Sequence, residues 1–237
     1  MVYAFFFTAV SIIFRIIFSY RQYGRENLTP YKKNGRRYVI VANHLSMLDP
    51  IFIAMAYGVG RKLTIMGKAE LFRNPFTAWL FTQVGVFPVE RGSADTSALN
   101  KAIEDIKDGR GMLIFPEGTR GTGDEMAKLK TGAFMIAAQT GADIIPVRLI
   151  YPTSTRKLKF FAPVVVKIGK PILAEELNLV EGGKRALRAS KITVRQRLDD
   201  LLNEYNRSVG YVPPAKEEPQ PAETTAETQA VNENENN

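Results

Sequence analysis

An uncharged, β-branched run from Tyr38 to Ala42 stops at Asn43-His44, and Asp49-Pro50 then opens a second apolar run, Ile51 to Ala56. The first run predicts a buried strand. Asp-Pro predicts a helix start, because Asp caps free N–H groups and Pro tolerates the first helical position. His44 and Asp49 thus stand at the two ends of one strand-to-helix loop, and the gap of four residues lets the carboxylate fold back onto an imidazole nitrogen. His44 is the only histidine in 237 residues. If an imidazole acts as a base near neutral pH in this chain, it is this one. On this stretch alone a plain N-cap and a polar loop histidine explain the pattern equally well.

Strand and helix patterns alternate downstream. Strands are expected at Leu63–Met66, within residues 85–92, at Met112–Phe115, Ile144–Ile150 and Val164–Ile168. Helices are expected over Phe76–Val84, Thr96–Lys107, about 132–140 and Lys184–Tyr205. Leu99, Ala102, Ile103 and Ile106 share one helical face, and Leu187, Val194, Leu198, Leu201 and Tyr205 share another. Such alternation predicts an α/β domain with a mostly parallel central sheet flanked by helices. In such sheets ligands sit beyond the carboxyl ends of the strands. Three of those ends carry charged turns: His44 with Asp49, Glu90-Arg91 before Gly92, and Glu117-Gly118-Thr119-Arg120 after Pro116. Each turn alone is ordinary, since P-E-G-T is a good β-turn sequence and E-R-G a common strand exit.

Residues 2–20 are apolar apart from Thr8, Ser11, Arg15 and Ser19. As one helix they would reach about 28 Å, close to the thickness of a bilayer core. Thr8, Ser11, Arg15, Ser19 and Gln22 would then line one polar stripe, which suits a helix lying in the membrane interface better than one crossing it. A secretory signal fits less well, because no basic residue precedes the run and no small-residue cleavage site follows. Arg21, Arg25, Lys32, Lys33, Arg36 and Arg37 come next and are expected to meet anionic headgroups on the cytoplasmic side. The reading is a membrane-anchoring helix over residues 1–22, a catalytic domain over 23–211 and a disordered acidic tail over 212–237.

The tail from Pro213 carries net −5, which leaves +13 on residues 1–212 out of +8 overall. That excess points to an anionic partner. Nucleic acid is set aside, since no helix-turn-helix, zinc-finger or aromatic-platform signature accompanies the charge. Cysteine is absent, which removes disulfides, thiolate metal sites and a cysteine nucleophile. With one histidine, no metal or cofactor site is expected.

In order, N-H-L-S-M-L-D-P, G-V-F-P-V-E-R-G, F-P-E-G-T-R and I-I-P-V resemble the four blocks of the glycerolipid acyltransferases, those acting on 1-acyl-glycerol-3-phosphate above all. The likeness runs from about residue 38 to 150 and includes G-K-A-E-L-F between the first two blocks. It implies transfer of a fatty acyl group from an acyl carrier protein or coenzyme A thioester to the free hydroxyl of lysophosphatidic acid at a membrane lipid surface. His44 would be the general base and Asp49 its orienting partner. Ser46 reads as a turn residue, so direct transfer without an acyl-enzyme is expected. Arg91 matches the second-block arginine and is the first choice for the acceptor phosphate, with Lys68 and Arg120 beside it. Glu117, Gly118 and Thr119 fall in the block that the family uses for acceptor binding. Glu117 could orient Arg91 or a glycerol hydroxyl, or could form an ion pair with Arg120 or cap the turn. Pro146 would shape the acyl or thioester side. A different lyso-lipid acceptor, such as a lyso-aminolipid, and a non-catalytic lipid-binding protein stay open.

Overall fold

The computed structural model describes residues 2–58, 63–83, 85–89, 96–153, 157–179 and 181–211. The strands are β1 (Ser19–Tyr23), β2 (Tyr38–Ala42), β3 (Leu63–Lys68), β4 (Val86–Val89), β5 (Gly111–Ile114), β6 (Asp143–Ile150) and β7 (Pro163–Ile168). The helices are α1 (Val2–Ile17), α2 (Thr29–Asn34), α3 (Asp49–Tyr57), α4 (Pro75–Gln83), α5 (Thr96–Lys107), α6 (Gly132–Thr140) and α7 (Gly183–Ser208). The strands form one sheet in the order β1-β7-β6-β2-β5-β3-β4, parallel except where β7 meets β6. The expected α/β class with a mostly parallel sheet is what the chain adopts.

β2 lies in the middle, and all five of its residues are buried. This is why its sequence is continuously apolar rather than alternating. Ile40 and Ala42 face a core built with α1, α3 and α4, while Val39 and Val41 face one built with α5, α6 and α7. Helices thus cover both faces, and the strand ends are the part of the sheet left for a ligand. Between β2 and β5, Gly111 lies so close to the Tyr38 ring that an added Cβ would sit 2.1 Å from the phenolic oxygen.

The N-terminus departs from the reading of residues 2–20 as one helix. α1 ends at Ile17, and Ser19–Tyr23 instead pairs in parallel with β7, Ser19 opposite Pro163. A partner strand supplied from far along the chain overrides the local helical pattern. The division drawn at residue 22 therefore falls inside a strand. Among the described residues no helix is long and apolar enough to cross a membrane. Ser19 and Gln22 leave the expected polar stripe, and Thr8, Ser11 and Arg15 keep it. α1 has three faces: Phe7, Val10, Phe14 and Ile17 pack inward, the polar strip runs beside them, and Ile12, Ile13 and Ile16 point out with 53%, 51% and 71% exposure. Its inner face packs against α3, with the Phe14 and Phe18 rings 5.6 and 5.2 Å from that of Phe52.

Strand direction decides what shares an edge with the His44–Asp49 loop. β7 runs antiparallel to β6, and β1 follows β7, so the starts of β1 and β7 lie at the same edge as the ends of β2 and β6. The Phe160-Phe161 turn before β7, 75% and 78% exposed, is at that edge, held to α1 by the Phe161 amide donating to the Ile17 carbonyl at 2.8 Å. Two of the basic residues that follow α1 in the sequence lie away from this edge. Arg36 pairs with Asp143 at 2.8 Å and Arg37 donates to the Thr140 carbonyl, both at the opposite edge. The side chains of Lys32 and Lys33 lie outside the described residues. So does the tail from residue 212.

Candidate active site

Asn43, the first residue past β2, keeps the strand in register after its own hydrogen-bonding partners run out. Its side chain donates to the Leu149 carbonyl at 2.9 Å and accepts the Leu149 amide at 2.7 Å, imitating one more ladder residue. The backbone then turns away from the sheet and His44 leaves it at the edge of a cleft.

Asp49 opens α3 but does not cap it, because the N-cap is Leu48 and no side-chain cap bond forms. Its carboxylate faces backward, into the loop. Oδ2 accepts the His44 Nδ1 at 2.8 Å, the Leu45 amide at 2.6 Å and the Ser46 amide at 2.8 Å. Oδ1 accepts the Tyr151 hydroxyl. At 0% exposure, Asp49 meets four donors, and its carboxyl group lies directly behind the imidazole. The His44 ring stacks on Phe115 at 4.2 Å between centroids, and its side chain keeps 18% exposure. Nε2 has no hydrogen-bond partner among the described residues. The expected meeting of carboxylate and imidazole across the loop is therefore present, while the capping role is replaced by loop bracing. Ser46 is a turn residue, its hydroxyl accepting the Leu48 amide at 3.2 Å.

Glu117 is 4% exposed and turned inward. Oε1 accepts the His44 amide at 2.9 Å and Oε2 accepts the Ala127 amide at 2.9 Å. The ion pair with Arg120 considered from the sequence does not form, and both carboxylate oxygens are committed to the backbone. Gly118 follows with φ +73°, a conformation glycine takes without strain, and a Cβ there would strike the Lys130 side chain. The Gly121 amide donates to the His44 carbonyl at 2.7 Å, so the third-block turn clasps His44 on both sides of its backbone.

The polar, glycine-bearing loop beyond this turn is packed against the body of the protein. Arg148 on β6, 1% exposed, donates to the Asp124 carbonyl and lies 3.5 Å from Asp199 of α7. Burial lowers its pKa and the neighbouring carboxylate of Asp199 opposes that shift. Arg195 of α7 adds bonds to the Met126 and Ala127 carbonyls at 2.8 and 3.1 Å. None of these contacts has a local sequence signal, because each joins residues far apart in the chain.

A cleft of about 330 Å³ opens beside His44. Ile65, Leu71, Phe81 and Val86 give it an apolar floor, and His44, Lys68, Thr119 and Arg120 a polar rim. Lys68 pairs with Glu70 at 2.7 Å with both side chains about half exposed, so an incoming anion can compete for it. Thr119 and Arg120 are exposed. Glu90, Arg91 and Gly92 lie outside the described residues. Pro146 lies within β6 opposite Val41. Among the described residues no group of three or more His, Asp or Glu side chains gathers as a metal site. The arrangement puts one imidazole, braced from behind, between a cationic rim and an apolar floor, which suits a ligand with an anionic head and a hydrocarbon chain.

Residues 19–150 match the family described as Acyltransferase. A 1-acyl-sn-glycerol-3-phosphate acyltransferase from Bacillus subtilis is 28% identical over 86% of this chain and 99% of its own length. The chloroplast 1-acyl-sn-glycerol-3-phosphate acyltransferase BAT2 of Brassica napus is 32% identical over 60% of this chain, which spans 42% of that protein. The crystal structure of the 1-acyl-sn-glycerophosphate (LPA) acyltransferase PlsC from Thermotoga maritima superposes with a TM-score of 0.59 at 24% identity, over 79% of this chain and 72% of that one, and shares the fold.

Proposed function

The chain belongs to the acyltransferase family, and from that membership we propose that it moves a fatty acyl group from a thioester onto the free sn-2 hydroxyl of 1-acyl-glycerol-3-phosphate, giving phosphatidic acid. The observation that carries this reading is the His44 Nδ1–Asp49 Oδ2 contact of 2.8 Å, buried at Asp49 and open to the cleft at His44. His44 Nε2 takes the hydroxyl proton as the acceptor oxygen attacks the thioester carbonyl carbon. The C–S bond breaks, the thiolate leaves, and the imidazolium returns the proton to it. Asp49 supports the imidazolium without itself being protonated. No cysteine is available for an acyl-enzyme, and Ser46 is occupied in the turn. Transfer is thus direct, from an acyl carrier protein or coenzyme A thioester. Lys68 and Arg120 hold the acceptor phosphate, together with Arg91 as the residue matching the family's second block, and the apolar floor takes hydrocarbon.

The assay uses purified full-length protein in liposomes with lysophosphatidic acid and a long-chain acyl thioester. Thiol release that requires the acceptor and matches phosphatidic acid formation is the expected result. Thiol released in a burst from donor alone would overturn direct transfer. Product with a lyso-aminolipid but none with lysophosphatidic acid would keep the chemistry and replace the acceptor.

The same reading includes a monotopic seat on the cytoplasmic face of the membrane. It is supported by the outward Ile12, Ile13 and Ile16 and the Phe160-Phe161 turn, all large, exposed and associated with the sheet edge that carries His44. Lys157 and Lys159 immediately precede that turn. Replacing both Phe160 and Phe161 by Asp is expected to weaken binding to anionic vesicles roughly tenfold or more, since each ring contributes burial worth about 1.5–3 kcal/mol. Turnover of a short-chain, water-soluble acceptor should persist. Unchanged vesicle sedimentation would remove the turn from the interface.

A further inference from the structure

We propose that Tyr151 is a positioning residue of the acyl transfer: its hydroxyl holds Asp49 in the one orientation in which the carboxylate serves His44. The proposal rests on His44 being the general base. Tyr151 follows β6 directly, is 1% exposed, and donates its hydroxyl to Asp49 Oδ1, the oxygen that faces away from the imidazole. Oδ2 alone would leave the carboxylate hinged on one side. With Oδ1 pinned as well, its plane is set relative to the His44 ring.

The residue type fits that role. The Tyr151 ring packs edge-on against Phe52 at 6.5 Å, a contact phenylalanine would make as well. A buried hydroxyl costs free energy unless it is bonded, so packing alone gives no reason for it. Asp49 gives the reason. A cation at this position would also hold the carboxylate, but it would oppose the imidazolium that forms in the reaction. A neutral donor adds no charge of its own and leaves that of the carboxylate facing His44. Burial, reinforced by the charge of Asp49, raises the phenol well above its ordinary titration range, so it stays a donor wherever the base works.

Other groups around the pair are accounted for. Ser46, from the loop itself, sets its hydroxyl against the Tyr151 oxygen. Glu117, from the turn after β5, bonds the His44 amide rather than the ring. Lys68 and Arg120 line the cleft with His44. Tyr20, from β1, spends its hydroxyl on the Phe52 carbonyl and Gln22. Among the described side chains Tyr151 alone bonds Oδ1.

Removing the hydroxyl leaves Oδ1 without a donor in a dry site. The carboxylate can then swing, and its undamped charge favours the imidazolium. Less neutral base is present at a given pH, so the acid limb of the rate profile moves to higher pH.

The test is Tyr151→Phe in the full-length protein, with kinetics in liposomes and NMR in detergent. As His44 is the only histidine, its imidazole signals need no assignment. Expected are a fall in kcat on the order of tenfold, the size of one lost hydrogen bond to a charged group, an unchanged acceptor KM, and a rise in both the acid limb and the imidazole titration midpoint. Wild-type kcat in the variant overturns the proposal. So does a lower kcat with the titration unmoved, which would mark a purely structural residue. If the wild type acylates no lyso-lipid, the catalytic reading falls by itself, and the imidazole titration still reports whether Tyr151 acts on His44.

Discussion

His44→Ala loses the acyl transfer by about 10²–10⁴ while the protein stays folded. No second histidine can take over the proton. The fold survives because the lost ring is partly exposed and its main apolar contact is Phe115. Asp49 keeps the Leu45 and Ser46 amides and the Tyr151 hydroxyl, so removing the imidazole leaves no buried carboxylate without partners. The remaining rate should climb with pH, as direct ionisation of the acceptor replaces the missing base, and added imidazole should restore part of it. Acceptor-dependent thiol release, followed from pH 6 to 9 beside the wild type, makes the measurement. Full activity in the variant would mean that the thioester is attacked without an imidazole.

Glu117→Gln has the second large effect, and it falls on turnover and stability together. A carboxamide can accept one of the two amides that Glu117 holds, but its NH₂ then faces the other. One of these two partly buried hydrogen bonds, to the His44 or the Ala127 amide, loses its charged acceptor, at a cost of about 2–3 kcal/mol. In a domain of this size that lowers the melting temperature by roughly 5–10 °C. Because the His44 backbone is held by this carboxylate, kcat should drop with it, and the acceptor KM should change little. A raised KM at an unchanged melting temperature would return Glu117 to the acceptor-binding role that the resemblance implies. Calorimetry and initial rates on the same preparation separate the two.

The sequence is legible wherever the structure is decided locally. β2, α5 and α6 begin and end where their patterns do, because a buried strand and two helices with one apolar face are written in adjacent residues. The His44-Asp49 pair was legible for the same reason: both members belong to one loop. What could not be read depends on pairing between distant segments. Tyr151 reaches Asp49 only because β6 lies beside β2, with Ala42 opposite Val147. Glu117 shows a turn motif in the sequence, and only the fold reveals that its carboxylate faces His44. Asp49 looked like a cap since capping is the commonest use of Asp before Pro, yet three donors in the preceding loop outcompete the helix end. The end of α1 has no local signal because β7, which draws Ser19–Tyr23 into the sheet, lies beyond any local window.

That last pairing sets a timetable for synthesis. Ser19 must find Pro163, and the whole catalytic region is translated between them. At 5–20 residues per second the wait is roughly 7–30 s. During it, α1 can already pack on α3 through Phe14 and Phe52, while β1 has no β7 to pair with. Ser19–Tyr23 is thus made long before the strand it pairs with, and it is among the last parts of the sheet to be seated.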